Sequence, residues 1–137
     1  MSALVPAPGA LPAIYLTGAD FERLSRIVDA AGDRVPGGAV LAGELRRSIL
    51  VEDNDAPRPF VRLNSLVTYR DLPSGRERRV RLVVPREASI DDGRIPVLTP
   101  VGAALIGMIV GATFRWTDAG GRPRGVEILA VAEAPAG

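Results

Sequence analysis

The 137-residue chain contains no cysteine, no histidine and no lysine. Without cysteine there is no disulfide and no thiol nucleophile, and the redox compartment is left unconstrained. Without histidine the common neutral-pH general base is gone, and the loss of both residue types removes the usual ligands of zinc and iron. The lack of lysine removes Schiff-base chemistry. Every one of the seventeen basic residues is arginine, and with 12 Pro and 15 Gly this reads as codon bias of a GC-rich genome. A net charge of +1 does not call for nucleic-acid binding, and no direct sequence-specific contact with nucleic acid is expected. These exclusions point away from an enzyme, and neither a cofactor nor a metal is expected.

What is present begins with a run of twenty residues, Ile95 to Phe114, without one charged side chain. Its length is about that of a bilayer-spanning helix. Its residues are wrong for one: Pro96 and Pro100 lack an amide donor, and Gly102, Gly107 and Gly111 weaken an isolated helix. The start "MSALVPAPGALPA" lacks the basic head and unbroken apolar core of a signal peptide. A cytoplasmic protein with no membrane contact is expected. Thr99 before Pro100 is an N-cap followed by the residue favoured at the first helical position, and "VGAALIG" can turn twice before Gly107. The run therefore divides into strand, short apolar helix and the start of another strand. A helix apolar on nearly all sides is normally wrapped by a sheet.

Residues 1–15 are Ala/Pro-rich and apolar without a period, the composition of a flexible tail. Residues 16–51 read as a helical hairpin. Thr17 is a candidate N-cap with Asp20 three residues on, and Phe21, Leu24, Ile27, Val28 and Ala31 recur at helical spacing. "GDRVPGG" breaks the pattern, and "AVLAGELRRSILV" resumes it with Leu41, Leu45 and Ile49 on one side and Glu44, Arg46 and Arg47 around the rest. Residues 52–59 are a polar linker. From residue 60 to 134 the period changes to 2, with Val67 and Tyr69, then Val80, Leu82 and Val84, then Phe114 and Trp116 each on one face of a strand. The expected architecture is α+β: a short antiparallel helix hairpin, then a meander of about five strands around one short helix. Residues 60–137 are expected to fold alone, with the isolated hairpin marginal.

Charged clusters are few. Asp53 with Asp55, and Asp91 with Asp92, sit in turn-like segments and read as solvated turn residues. "PSG" and "DAGG" are turns and lack the strand, glycine spacing and lysine of a phosphate loop. Arg76, Arg78, Arg79 and Arg81 form either a solvated sheet face or a contact for an acidic partner, since arginine pairs bidentately with carboxylates.

The pieces "VRLNSLVTY", "YRDL", "VRLVVP", "PVGAALIG" and "VEILAV", preceded by a hairpin containing Ala42, Glu44, Leu45 and Arg47, resemble the Rnk proteins, regulators of nucleoside diphosphate kinase. These are grouped with the C-terminal domain of the Gre transcript-cleavage factors. The likeness runs from about Thr17 to Glu133. Ala103 stands where Gre factors carry an arginine, as in the Rnk branch. The resemblance implies an FKBP-like fold, a curved antiparallel sheet on one short helix, and binding to RNA polymerase near the secondary-channel mouth; a monomer is expected. Partner contacts are expected at Arg76, Arg79, Arg81, Thr99, Pro100 and Val101, with Asp33 and Arg34 at the hairpin tip. A Gre-type tip must hold two acids against the catalytic magnesium. A helix of fourteen residues rises only about 21 Å, roughly half the distance. Asp33 is a single acid, and the guanidinium beside it opposes cation binding.

The leading expectation is a non-catalytic regulator that occupies the polymerase and competes with Gre factors. Two others stand beside it: a peptidyl-prolyl isomerase, by fold analogy alone, and a general interaction module linked to nucleotide metabolism. The isomerase needs an aromatic-lined pocket, and the chain has three Phe, one Trp and two Tyr in all.

Overall fold

The computed structural model describes residues 12–52, 56–118 and 120–132, and of these all side chains but those of Asp33 and Pro36. Residues 1–11 of the expected tail, and the pair Asp53 and Asp55, lie outside the described residues. In chain order the elements are β1 (Ile14–Leu16), α1 (Gly18–Ala31), α2 (Pro36–Arg46), β2 (Ser48–Leu50), β3 (Leu66–Asp71), β4 (Glu77–Val83), β5 (Arg94–Pro96), α3 (Pro100–Leu105), β6 (Thr113–Thr117) and β7 (Pro123–Ala132). The architecture is mixed α+β, helices first and a five-stranded sheet after.

The start of α1 forms as the sequence requires, with a modification. Thr17 Oγ1 accepts from the Asp20 amide at 3.2 Å. The Asp20 carboxylate does not return to the cap, as a capping box would have it. It accepts from the amide of Leu63 at 3.2 Å and ties the helix to the sheet half. Gly32, at φ +60, ends the helix, a backbone angle that favours glycine.

Two expectations for this half are corrected. The second helix does not run to Val51 but ends at Arg46, and Ser48–Leu50 is a strand. The reason is non-local: Ile14 and Tyr15, read from sequence as tail, belong to β1, which pairs in parallel with β2. Ile14 and Leu16 are buried at 0% and 1% exposure, and Val51 donates to the Leu16 carbonyl at 2.9 Å. Backbone groups that have a ladder partner do not need a helix to satisfy them.

The sheet order is β5-β4-β3-β7-β6. It is less regular than a meander. β3 with β4 and β6 with β7 are antiparallel hairpins, and β3 with β7 joins them, but β5 returns parallel to β4. α3 fills the interior. Thr99 Oγ1 accepts from the Gly102 amide and donates to the Pro96 carbonyl, both at 2.9 Å, and Pro100 takes the first helical position. Ala103, Ala104, Leu105, Ile106 and Met108 are all 0% exposed. The uncharged run is therefore core. Among the described residues no helix is long and apolar enough to cross a membrane.

The core is common to both halves: Ile14, Leu24 and Leu41 share one buried cluster with Val67, Leu82, Leu105 and Ile128. The closest approach is at Gly37 of α2. A Cβ built there would lie 1.8 Å from the carbonyl oxygen of Leu98, so α2 rests directly on the chain leading into α3. Two residues beyond α3, Gly107 (φ +78) closes the other side, where its carbonyl accepts from the Tyr15 amide at 2.8 Å.

One buried side chain runs against this packing. Glu44 on α2 is 3% exposed, and its two carboxylate oxygens have no hydrogen-bond partner among the described residues. Arg47 approaches at 4.0 Å but donates instead to the Pro12 carbonyl and lies 5.7 Å over the Phe114 ring. Burial pushes the Glu44 carboxyl well up, against the smaller opposing pull of Arg47. The fold thus favours the neutral acid. Its contribution is full below the ordinary value of 4.5 and is lost as pH rises through the folded value. Glu44→Gln, neutral at every pH, should melt higher than the wild type at neutral pH, by several degrees. One kcal/mol moves the midpoint of a chain this size by about 4 °C. Thermal melts at a series of pH values check it, and the gap should close as the pH falls toward 4.5.

Candidate functional site

A groove of about 670 Å³ opens beside β4, β5 and the lead-in to α3. Side chains alternate along strands, and residues directly opposite in a ladder share a face. Arg78 is opposite Tyr69, and Val80 is opposite Val67, so Arg78 and Val80 lie on the inner side with Tyr69 and Asp71. Arg124, opposite Trp116 across the β6–β7 ladder and 5.9 Å from its ring, lies on the same side. Val101 and Ile95 contribute apolar wall, and Ile90 stands at the mouth with 74% of its surface exposed.

The charges in this groove are unequally engaged. Asp71 accepts from the Ser74 hydroxyl at 2.6 Å and the Ser74 amide at 3.2 Å, and Arg124 lies 3.6 Å away. The Ser74 hydroxyl first, then the Ser74 amide, Arg124 and Arg78, hold its carboxyl below the usual range against the effect of burial. Asp71 is thus an ionised turn-former and not a proton carrier. Burial pushes the Tyr69 hydroxyl up, which keeps it a neutral wall. Arg78 makes no hydrogen bond and no ion pair among the described residues.

The expected partner residues separate. Arg79, Thr99 and Val101 border the groove. Pro100 is exposed between the last two. Arg81 sits opposite Leu66, and Arg79 opposite Thr68, so both side chains start from the outer face. Arg81 donates to the Asn64 carbonyl at 2.6 Å. That face carries its own charge ladder, with Arg70 3.6 Å from Glu77 and 3.3 Å from Glu127. Arg76 is in the β3–β4 turn, away from both. At the hairpin tip, Arg34 folds back and donates to the carbonyls of Ala31 and Ala30 at 3.3 and 3.1 Å. It supplies the cation that the last turn of α1 lacks. The backbone of Asp33 is in the turn Gly32–Arg34, and its side chain lies outside the described residues.

The sequence gives no site role to Tyr69 or Arg124, and it names Arg78 only within the cluster of Arg76, Arg78, Arg79 and Arg81. For Arg78 the signal was there, since it shares parity with Val80 and Leu82 and so belongs on the inner face. Arg124 had no comparable local signal, because β7 reaches β3 only through a non-local pairing.

Comparison with known proteins agrees with the fold. The family described as "Transcription elongation factor, GreA/GreB, C-term" matches residues 56–133, and "Rnk N-terminus" matches residues 12–51. The "Regulator of nucleoside diphosphate kinase" of Escherichia coli (strain K12) is 32% identical over 119 residues, 86% of this chain and 88% of the relative. "Transcription elongation factor GreA" of Syntrophomonas wolfei is 39% identical over 69 residues, 50% of this chain and 43% of the relative. Among solved structures, a "Prokaryotic transcription elongation factor GreA/GreB from Nitrosomonas europaea" superposes with a TM-score of 0.68 at 32% identity, covering 89% of this chain and 99% of that one. The chain belongs to the Rnk family, in which an Rnk N-terminus is joined to the C-terminal domain of the Gre transcription factors.

Proposed function

We propose that this transcription-factor relative is a non-catalytic regulator that binds RNA polymerase near the secondary-channel mouth and excludes Gre factors without stimulating transcript cleavage. The observation that carries the reading is the hairpin. Its α1 has 14 residues, a rise of about 21 Å, and Arg34 beyond its end is folded onto the α1 carbonyls. Such a hairpin does not extend a pair of carboxylates to a distant metal, so the activity left to it is occupancy. The groove supports the docking half, since it gathers apolar walls and an arginine without a hydrogen bond or ion pair among the described residues, on the domain shared with Gre factors. Tyr69 is the one aromatic side chain among the groove-lining residues, which disfavours the isomerase alternative.

The direct test is complex formation. The purified protein should co-elute with core RNA polymerase, and an added Gre factor should displace it through mass action. A protein that elutes apart from core polymerase at every concentration would defeat the reading.

A further inference from the structure

Every acid bordering the groove already has a cation. Asp71 has Arg124 at 3.6 Å, and Glu77 has Arg70 at 3.6 Å on the outer face. Arg70 and Arg124 are committed in the same pairs. Arg78 lines the groove from an exposed position on β4 and, though it joins Ser74 and Arg124 in holding the Asp71 carboxyl down, it makes no hydrogen bond or ion pair among the described residues. Val80 follows it on the same strand face and is half-buried, Ile95 and Val101 lie further in, and Ile90 is bare. A groove with apolar walls and one guanidinium that no hydrogen bond or ion pair among the described residues engages is complementary to an apolar side chain accompanied by a carboxylate.

The backbone sets the spacing. Arg78 and Val80 are two residues apart on β4, a separation of about 7 Å at 3.3 Å per residue. Two residues apart on an extended partner segment, or four apart on a helix, give a comparable separation.

We propose that the groove receives a partner segment carrying an aliphatic side chain and a carboxylate about 7 Å apart, with the aliphatic group against Val80, Ile95 and Val101 and the carboxylate on Arg78. This rests on the polymerase-docking reading and specifies the chemistry of the surface that the polymerase must present. Arg78 is thereby the residue that sets specificity. Arg79 and Arg81, one residue out of phase, are not. Arginine offers two donors to one carboxylate, so removal of its charge costs contact and reversal adds repulsion.

The experiment uses the full-length protein and core RNA polymerase, with binding followed by fluorescence anisotropy across salt concentrations. Arg78→Glu should weaken binding by about tenfold or more. Arg78→Met, which keeps the apolar stem, should weaken it less and flatten the salt dependence. Arg115→Glu, an exposed reversal on β6 at the outer face, is the control for general charge. A benzophenone amino acid substituted for Ile90 should cross-link to a polymerase segment with a carboxylate two residues along a strand or four along a helix from an aliphatic residue. Absence of any complex with the wild-type protein would sink the docking reading and this inference together. A complex indifferent to Arg78→Glu, or one lost instead on joint reversal of Arg79 and Arg81, would leave docking in place and overturn the inference alone. The same holds if position 90 cross-links to a segment without an acid, or to nucleic acid.

Discussion

Leu105→Asp should yield an unfolded protein. Leu105 is fully buried in a six-residue helix whose neighbours Gly102, Ala103 and Ala104 are buried as well. α3 has sheet on one side and α2 on the other, so no rotamer brings a carboxylate at this position to water or to a cation. Leaving a charge there unpaired costs several kcal/mol, and the aliphatic burial of roughly 2 kcal/mol is lost in addition. A domain of this size has about 5–15 kcal/mol in total. Far-ultraviolet circular dichroism and a urea titration decide the matter. A soluble, cooperative Leu105→Asp protein that merely lost partner binding would mean that α3 is a surface anchor and that its burial here is misread.

Gly37→Ala should be the most damaging addition of a single methyl group in α2. The new Cβ would lie 1.8 Å from the Leu98 carbonyl oxygen, 2.2 Å from its carbon and 2.7 Å from the Thr99 carbonyl carbon. All three are backbone atoms, so no side chain can swing aside. Either α2 lifts away from α3 or the lead-in carrying Thr99 and Val101 moves. Overpacking of this kind costs about 1–3 kcal/mol, and more where the obstacle is backbone. Gly43→Ala in the same helix is the comparison, because its Cβ meets nothing nearer than the Arg46 guanidinium at 3.8 Å. Helix propensity alone should then make that variant more stable by up to about 1 kcal/mol. Opposite signs for the two substitutions in denaturant titrations are the expected result; equal stability for both would show that the contact between α2 and Leu98 is loose.

Gly37 also illustrates what could be read from the sequence. "GDRVPGG" announces a break between helices, and the break is there. A glycine that permits a turn and a glycine that permits contact between elements look alike in one dimension, so the seat of α2 on α3 was invisible. Local signals gave α1, the Thr99 cap, the apolar run as core, and the β3–β4 and β6–β7 strands. Each depends on residues within a few positions of one another. What failed depended on distant partners. Ile14 and Tyr15 looked like tail because a three-residue strand has no period to detect, and Ser48–Leu50 looked helical because Ile49 falls in phase with Leu41 and Leu45. Glu44 was placed on a polar helix face that the fold covers. For the site, Thr99 and Val101 border the groove, while Arg76, Arg78, Arg79 and Arg81 read as one cluster in the sequence. Period 2 places Arg78 inward and Arg79 and Arg81 outward, and a count of basic residues conceals that division.

Occupancy without cleavage is the central claim, and transcript shortening on a purified arrested polymerase tests it most directly. The protein alone, a Gre factor alone, and the two together over a titration are the three arms. The protein alone should leave the backtracked transcript uncut, because its short hairpin cannot place carboxylates on the catalytic metal. In excess it should suppress cleavage by the Gre factor, with the residual rate falling as expected for a shared site. Robust cleavage by this protein alone, or Gre-stimulated cleavage undiminished when the protein is saturating, would contradict the account.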